Sequence, residues 1–174
     1  MFKNMKLGTK IGFGFGILLV FIVAIGVWNF ISSNSNVEKA THAKEESVVF
    51  ANYATEMKLA VIQVQQWLTD ISATRGAEGL DDGFKKAEDN AKRFKELSNH
   101  FRKMYQEEND QQNLNQLEKL EKGFDEYHSM GKKMAEAYIK SGHVEGNKVM
   151  KQFDPYAEKI ATDIEEFKKI RWMN

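Results

Sequence analysis

Residues 11–28 form a run of 18 positions, IGFGFGILLVFIVAIGVW, without one polar side chain. Asn29 interrupts the run, and Phe30 and Ile31 extend it. As a helix rising ~1.5 Å per residue, residues 11–31 reach ~31 Å, which matches the ~30 Å hydrocarbon core of a bilayer. After residue 32 the pattern differs in kind. No apolar run there is longer than four residues, and apolar positions recur at the spacing of amphipathic helices.

Four such helices are predicted. In the first, Phe50, Met57, Val64 and Ile71 recur every seven residues, with Tyr53, Ala60 and Trp67 beside them and Ala54, Val61 and Leu68 on the flank. This broad stripe suits a bundle core. Arg75-Gly76 ends the helix, and Gly76, Gly79 and Gly83 mark the break. Asp81 or Asp82 caps the second helix, whose stripe is Ala87, Ala91, Phe94, Leu97, Phe101 and Met104. A polar turn over 107–113 follows, with Asn109 or Asp110 as the next cap. The third helix carries Leu117, Leu120, Phe124, Tyr127, Met134 and Tyr138 and stops at Ser141-Gly142. The fourth carries Met150, Phe153, Ala157, Ile160, Ile164 and Phe167, with Asp154-Pro155 as either a cap and first-turn pair or a kink in a longer helix. Short connections make successive helices antiparallel. The expected fold is all-α: an up-down-up-down four-helix bundle continuing from one N-terminal transmembrane helix, since no Pro or Gly breaks residues 27–74.

Charge orients this arrangement. Lys3, Lys6 and Lys10 precede the apolar run, while all 25 acidic residues follow position 32. The positive-inside rule places the N-terminus in the cytoplasm. The expected organisation is a cytoplasmic basic segment (1–10), a membrane span (11–31) and a periplasmic bundle (32–174), the chain residing in the cell inner membrane, with Trp28 and Phe30 at the outer interface and Glu38 the next charge. A cleaved signal peptide fits less well, because the run exceeds the usual ~7–15 apolar residues and no A-x-A site follows. Gly8, Gly12 and Gly16 share one helix face, a small-residue pattern that permits close pairing of membrane helices. A first helix of ~64 Å over 32–74 against ~48 Å for 143–174 leaves the fourth short of the membrane, as if the chain were cut before a natural end.

Composition removes several classes. The absence of Cys excludes a disulfide framework, a thiolate metal site and a Cys nucleophile. The formal net charge of zero gives no reason to expect a nucleic-acid partner. His42, His100, His128 and His143 are scattered over different elements with no i, i+4 pair and no Glu-x-x-His, so neither a metal nor a cofactor is expected. There is no HExxH, GxSxG or Walker sequence, and no enzyme activity is expected.

The opening MKLGTKIGFGFGILLVFIVAIG, the long-helix segment VIQVQQWLTDISATRG and the closing FDPYAEKIATDIEEFKK resemble the N-terminal sensory part of a bacterial methyl-accepting chemotaxis protein. The resemblance implies a periplasmic ligand-binding bundle acting as a homodimer. It also implies a second membrane helix, a HAMP linker and a cytoplasmic signalling hairpin in full members. In amino-acid-sensing members the effector lies between subunits at the membrane-distal end, held by helix-one arginines and helix-four polar groups. Only Arg75 stands in a comparable place, so amino-acid specificity is not carried over. Related sensors sit on histidine kinases, and a membrane-tethered adaptor that binds a protein partner is a further alternative.

Two clusters remain as candidate sites. A second helix-one stripe, Val48, Asn52, Thr55, Leu59, Ile62, Gln66, Thr69 and Ala73, alternates spacings of four and three as a helix-pairing seam does. It serves either a dimer mate or one wide buried face within a single bundle. Gln63, Gln66, Trp67, Asp70, Thr74 and Arg75 gather in the distal half of helix one, and Lys148, Lys151 and Gln152 open helix four. Such cations pair with a carboxylate, and Gln or Thr fixes its orientation. The expected partners are thus a second copy, the membrane, and a small effector or the periplasmic binding protein that carries it.

Overall fold

The computed structural model describes residues 6–169 and, within them, every side chain but those of 9, 10 and 31–46. Lys3, Asn174 and the side chains of Lys10, Ile31, Glu38 and His42 therefore lie outside the described residues. Helix α1 is Leu7–Thr74 and α2 is Gly83–Glu107. The segment Gln111–Lys169 is divided at Gly142 into α3 (111–141) and α4 (143–169). The described residues contain no strand. The chain forms two compact units, Met1–Glu46 and Ser47–Asn174.

In the first unit, Ile11–Phe30 has a mean hydropathy of 2.5 and exposes all its side chains. It is long and apolar enough to cross a membrane.

The second unit is the bundle. Its core is the heptad set read from the sequence: Phe50, Met57, Val64, Leu68 and Ile71 of α1; Ala87, Phe94, Leu97 and Phe101 of α2; Leu117, Leu120, Phe124, Tyr127 and Met134 of α3; Phe153, Ile160, Ile164 and Phe167 of α4. Side-chain pairings establish the directions. Phe50 packs edge-on to Phe101 and Trp67 lies under Lys86, so α2 returns along α1. Phe94 stacks on Phe124 and Arg102 pairs with Glu118, so α3 reverses again. Tyr127 meets Phe153, while the Tyr138 hydroxyl donates to Asn147 Oδ1 at 2.5 Å, so α4 runs back along α3. Phe167 then reaches Phe50.

The ends of the helices have local causes. Arg75 and Gly76 take positive φ (55° and 63°) just past α1, and Gly76 N–H returns to the Ile71 carbonyl at 3.2 Å. Asn109 does the same after α2, and Asp110 caps α3, its Oδ1 accepting the Asn113 N–H at 3.0 Å. Gly142 has φ 74° and ψ −174°, a backbone region essentially closed to residues with a Cβ.

Four local expectations need correction. Gly83 is the first residue of α2 rather than part of the break, and its lack of a Cβ allows close approach to α1, where a Cβ would meet the Trp67 carbonyl at 2.8 Å. Asp82 occupies the N-cap position but makes no side-chain cap bond. The turn before α3 is shorter than 107–113, since Asn113 is buried inside the helix and donates to Asp110 Oδ2. Of the two readings of Asp154-Pro155, the helix start is the one that fails: Pro155 lies inside α4, and the only non-helical dihedrals within Gln111–Lys169 are those of Gly142.

One polar contact crosses the core. The buried Tyr127 hydroxyl donates to the Val61 carbonyl of α1 at 2.9 Å, and burial pushes its pKa well above the usual range. Because that carbonyl also belongs to a helix ladder, losing the hydroxyl strands no acceptor. Tyr127→Phe is expected to lower the unfolding free energy by about 1 kcal/mol, measured by urea denaturation. A loss above about 3 kcal/mol contradicts this placement of the hydroxyl.

Candidate functional site

Helix α1 presents two different faces within the bundle unit. The core stripe is buried, whereas Val48, Asn52, Thr55, Leu59, Ile62, Gln66, Thr69 and Ala73 are all exposed. Leu59 is 54% and Ile62 48% exposed. The alternative of one wide buried face therefore does not hold within the single bundle. Between these residues runs a groove of about 480 Å³ lined by Ile62, Gln65, Gln66, Thr69, Asp70 and Ala73. The Gln63 amide donates to Gln66 Oε1 at 3.0 Å along its edge.

The other α1 candidates sit at the end of the bundle where the α1–α2 and α3–α4 turns lie. Arg75 Nε donates to the Tyr138 carbonyl at 3.2 Å, close to the C-terminus of α3. A cation there also complements the negative end of the helix dipole. The Thr74 hydroxyl donates to the Leu80 carbonyl at 3.2 Å. Trp67 is half-buried, with the Lys86 ammonium 5.2 Å above its ring. On α4, Lys148 pairs with Glu145 at 2.9 Å, and Lys151 and Gln152 are exposed. Among the described residues, no hydrogen bond or ion pair joins Gln63, Gln66, Asp70, Thr74 or Arg75 to Lys148, Lys151 or Gln152.

Sequence reasoning misses two polar groups. Buried Ser98 donates to Glu121, whose other carboxylate oxygen pairs with Arg102, tying α2 to α3. The signal for it is faint: Ser98 and Arg102 at i, i+4 opposite Glu118 and Glu121 at i, i+3. His128 lies in the same α2–α3 seam, its side chain only 13% exposed. No group of three His, Cys, Asp or Glu among the described residues is arranged to hold a metal.

In the N-terminal unit, Cβ atoms built on Gly8, Gly12 and Gly16 would meet nothing within 4 Å. Gly12 and Gly16 line an apolar groove of about 430 Å³ with Phe13, Ile17, Val20 and Phe21.

An apolar N-terminal helix, a four-helix bundle and an exposed seam on the first helix are thus present in one chain. The family described as the four helix bundle sensory module for signal transduction matches residues 4–171. The chain belongs to this family. The match agrees with the resemblance to the sensory region of methyl-accepting chemotaxis proteins, and it makes the bundle a sensory module for signal transduction. Comparison with curated proteins and with solved structures finds no match.

Proposed function

We propose that this chain is the input region of a transmembrane chemotaxis receptor that works as a homodimer. The observation that carries this reading is the exposed seam from Val48 to Ala73, with Leu59 and Ile62 facing solvent at helix-pairing spacing. A second copy covers that seam with the same residues, as two-fold symmetry requires. In the membrane, the faces bearing Gly8, Gly12 and Gly16 pair in the same dimer. The three N-terminal lysines keep the N-terminus cytoplasmic, and the bundle lies in the periplasm.

A small effector, free or delivered by a periplasmic binding protein, binds at the α1 groove beside the dimer axis. Gln63, Gln66 and Asp70 supply its polar contacts, with Thr74, Arg75, Lys148, Lys151 and Gln152 as the remaining candidates. Arg75 keeps its Nε on the Tyr138 carbonyl and offers its terminal Nη groups to the effector at the α3–α4 turn. Binding then shifts α4 by ~1–2 Å, the usual scale of such helix displacements.

The chain contains no Cys, which makes cross-linking clean. Ile62→Cys and Thr69→Cys in native membranes are expected to form disulfide dimers at least tenfold faster than Lys92→Cys, on the exposed face of α2. Equal rates at the three positions remove the dimer seam. For the effector, calorimetric titration of the full chain in nanodiscs should find one saturable ligand among small molecules or loaded binding proteins. Failure with every ligand and every carrier sinks that part of the reading.

A further inference from the structure

His128 is a titratable group held inside a helix seam without a partner to suit it. Its ring stacks on Phe124 with centroids 6.0 Å apart. Its Nε2 is buried and makes no hydrogen bond among the described residues. The carboxylate oxygen Glu88 Oε2 of α2 is 3.8 Å away, too far for a hydrogen bond. That same oxygen is 3.7 Å from the Lys132 ammonium of α3. Lys95 of α2 and Asp125 of α3, themselves paired at 2.9 Å, complete the charged groups acting on the ring. The site therefore holds one carboxylate between an ammonium and a neutral imidazole, with a gap of under 1 Å to close on the imidazole side.

We propose that His128 is a proton-binding site that gives this sensory module acidification as a second stimulus, read as a change in the α2–α3 seam. Protonation makes Nε2 a charged donor. It draws Glu88 away from Lys132 and across the seam, forming a charge-assisted bond that the neutral ring does not make. The cost lies in placing charge beside Phe124 in a site largely closed to water. Burial, the largest influence, holds the His128 pKa below the ordinary histidine value, Glu88 pulls it up, and Lys132 and Lys95 push it down.

The sign of the stability effect follows. The folded chain binds this proton less readily than the unfolded chain. The stabilisation from neutral His128 is complete above the ordinary histidine value and is lost progressively as pH falls from there to the lowered folded value. Acidification therefore weakens the resting packing while strengthening one new cross-seam contact, which is what a bistable input element needs. The use of this change as a signal rests on the sensory reading. The proton binding itself does not, and it stands even where no small effector is found.

The test uses the full chain in nanodiscs. Ring signals of His128 are followed by NMR against pH, and nitroxides at positions 92 and 126 report the α2–α3 distance at pH 7.5 and 5.5. His128 is expected to titrate below the ordinary histidine value, with Glu88→Gln lowering the midpoint further and Lys132→Met raising it. The nitroxide distance is expected to change with pH in the parent chain and to stay fixed in His128→Gln. Glu88 is on the surface, so Glu88→Gln serves where His128→Gln fails to fold, and it should move the midpoint of the distance change to lower pH. Titration at or above the ordinary value, an unchanging distance, or a change that persists in His128→Gln overturns the proposal.

Discussion

Phe124→Ala is expected to lower the unfolding free energy of the bundle by about 3–5 kcal/mol, the range for removing a buried aromatic ring. Phe124 is fully buried on α3. Its ring lies almost parallel to that of Phe94, with centroids 3.8 Å apart and planes 8° apart, and it also touches the rings of Tyr127 and His128. Removing it costs the transfer of the ring, the cavity left between helices that cannot fully collapse, and aromatic pairs worth about 0.5–1.5 kcal/mol each. Single domains have about 5–15 kcal/mol in total, so about a fifth or more of the stability goes with one side chain. Urea denaturation of the full chain in detergent, followed by far-UV circular dichroism, measures this. The variant also carries a second readout. With Phe124 gone, water reaches His128, and its titration should move up towards the ordinary value. A loss below about 1 kcal/mol would show that the Phe94–Phe124 pair is peripheral to the bundle.

The burial of Phe124 is legible in the sequence because burial in a bundle is written in local periodicity. Met57, Val64 and Ile71 stand on one helix face whatever the partner is, and all are buried. The same logic separates Leu59 and Ile62 onto another face, which the structure leaves exposed. What periodicity does not carry is the register between helices far apart in sequence. The Glu121 carboxylate meets Ser98 and Arg102 only because α2 and α3 align at that height. Arg75 stands near a helix end, where position alone suggests a ligand arginine, yet its Nε bonds a carbonyl 63 residues away. His128 is one of four scattered histidines in the sequence, and only the packing reveals its buried, unbonded Nε2. Pro155 fits either a helix start or a helix interior by sequence, and the neighbouring burial of Phe153 and Ile160 on one continuous face decides for the interior.

Gly83→Ala and Gly123→Ala are expected to act in opposite directions, although helix propensity favours Ala over Gly by up to about 1 kcal/mol at an interior position. At Gly83, a new Cβ would stand 2.8 Å from the Trp67 carbonyl oxygen and 2.8 Å from Ile71 Cβ. Neither atom belongs to the loose end of a side chain, so the start of α2 must back away from α1. Overpacking of this sort costs about 1–3 kcal/mol, and at the first helical position the propensity gain is too small to offset it. Ile71→Ala does not relieve the clash, because alanine keeps the offending Cβ. At Gly123, the atoms nearest the new Cβ would be Asp163 Oδ2 and Lys159 Nζ, each at 3.4 Å, and Ile160 Cδ1 at 3.9 Å. The Lys159–Asp163 pair sits on the surface of α4 and can swing aside, so the propensity term wins and Gly123→Ala stabilises by a few tenths of a kcal/mol up to about 1. Matched urea titrations of the two variants decide the point. If both stabilise, helix α2 does not begin in contact with the α1 backbone, and the close α1–α2 approach at this end of the bundle is wrong. If both destabilise, the α3–α4 surface at Gly123 is tighter than the reach of two flexible side chains allows.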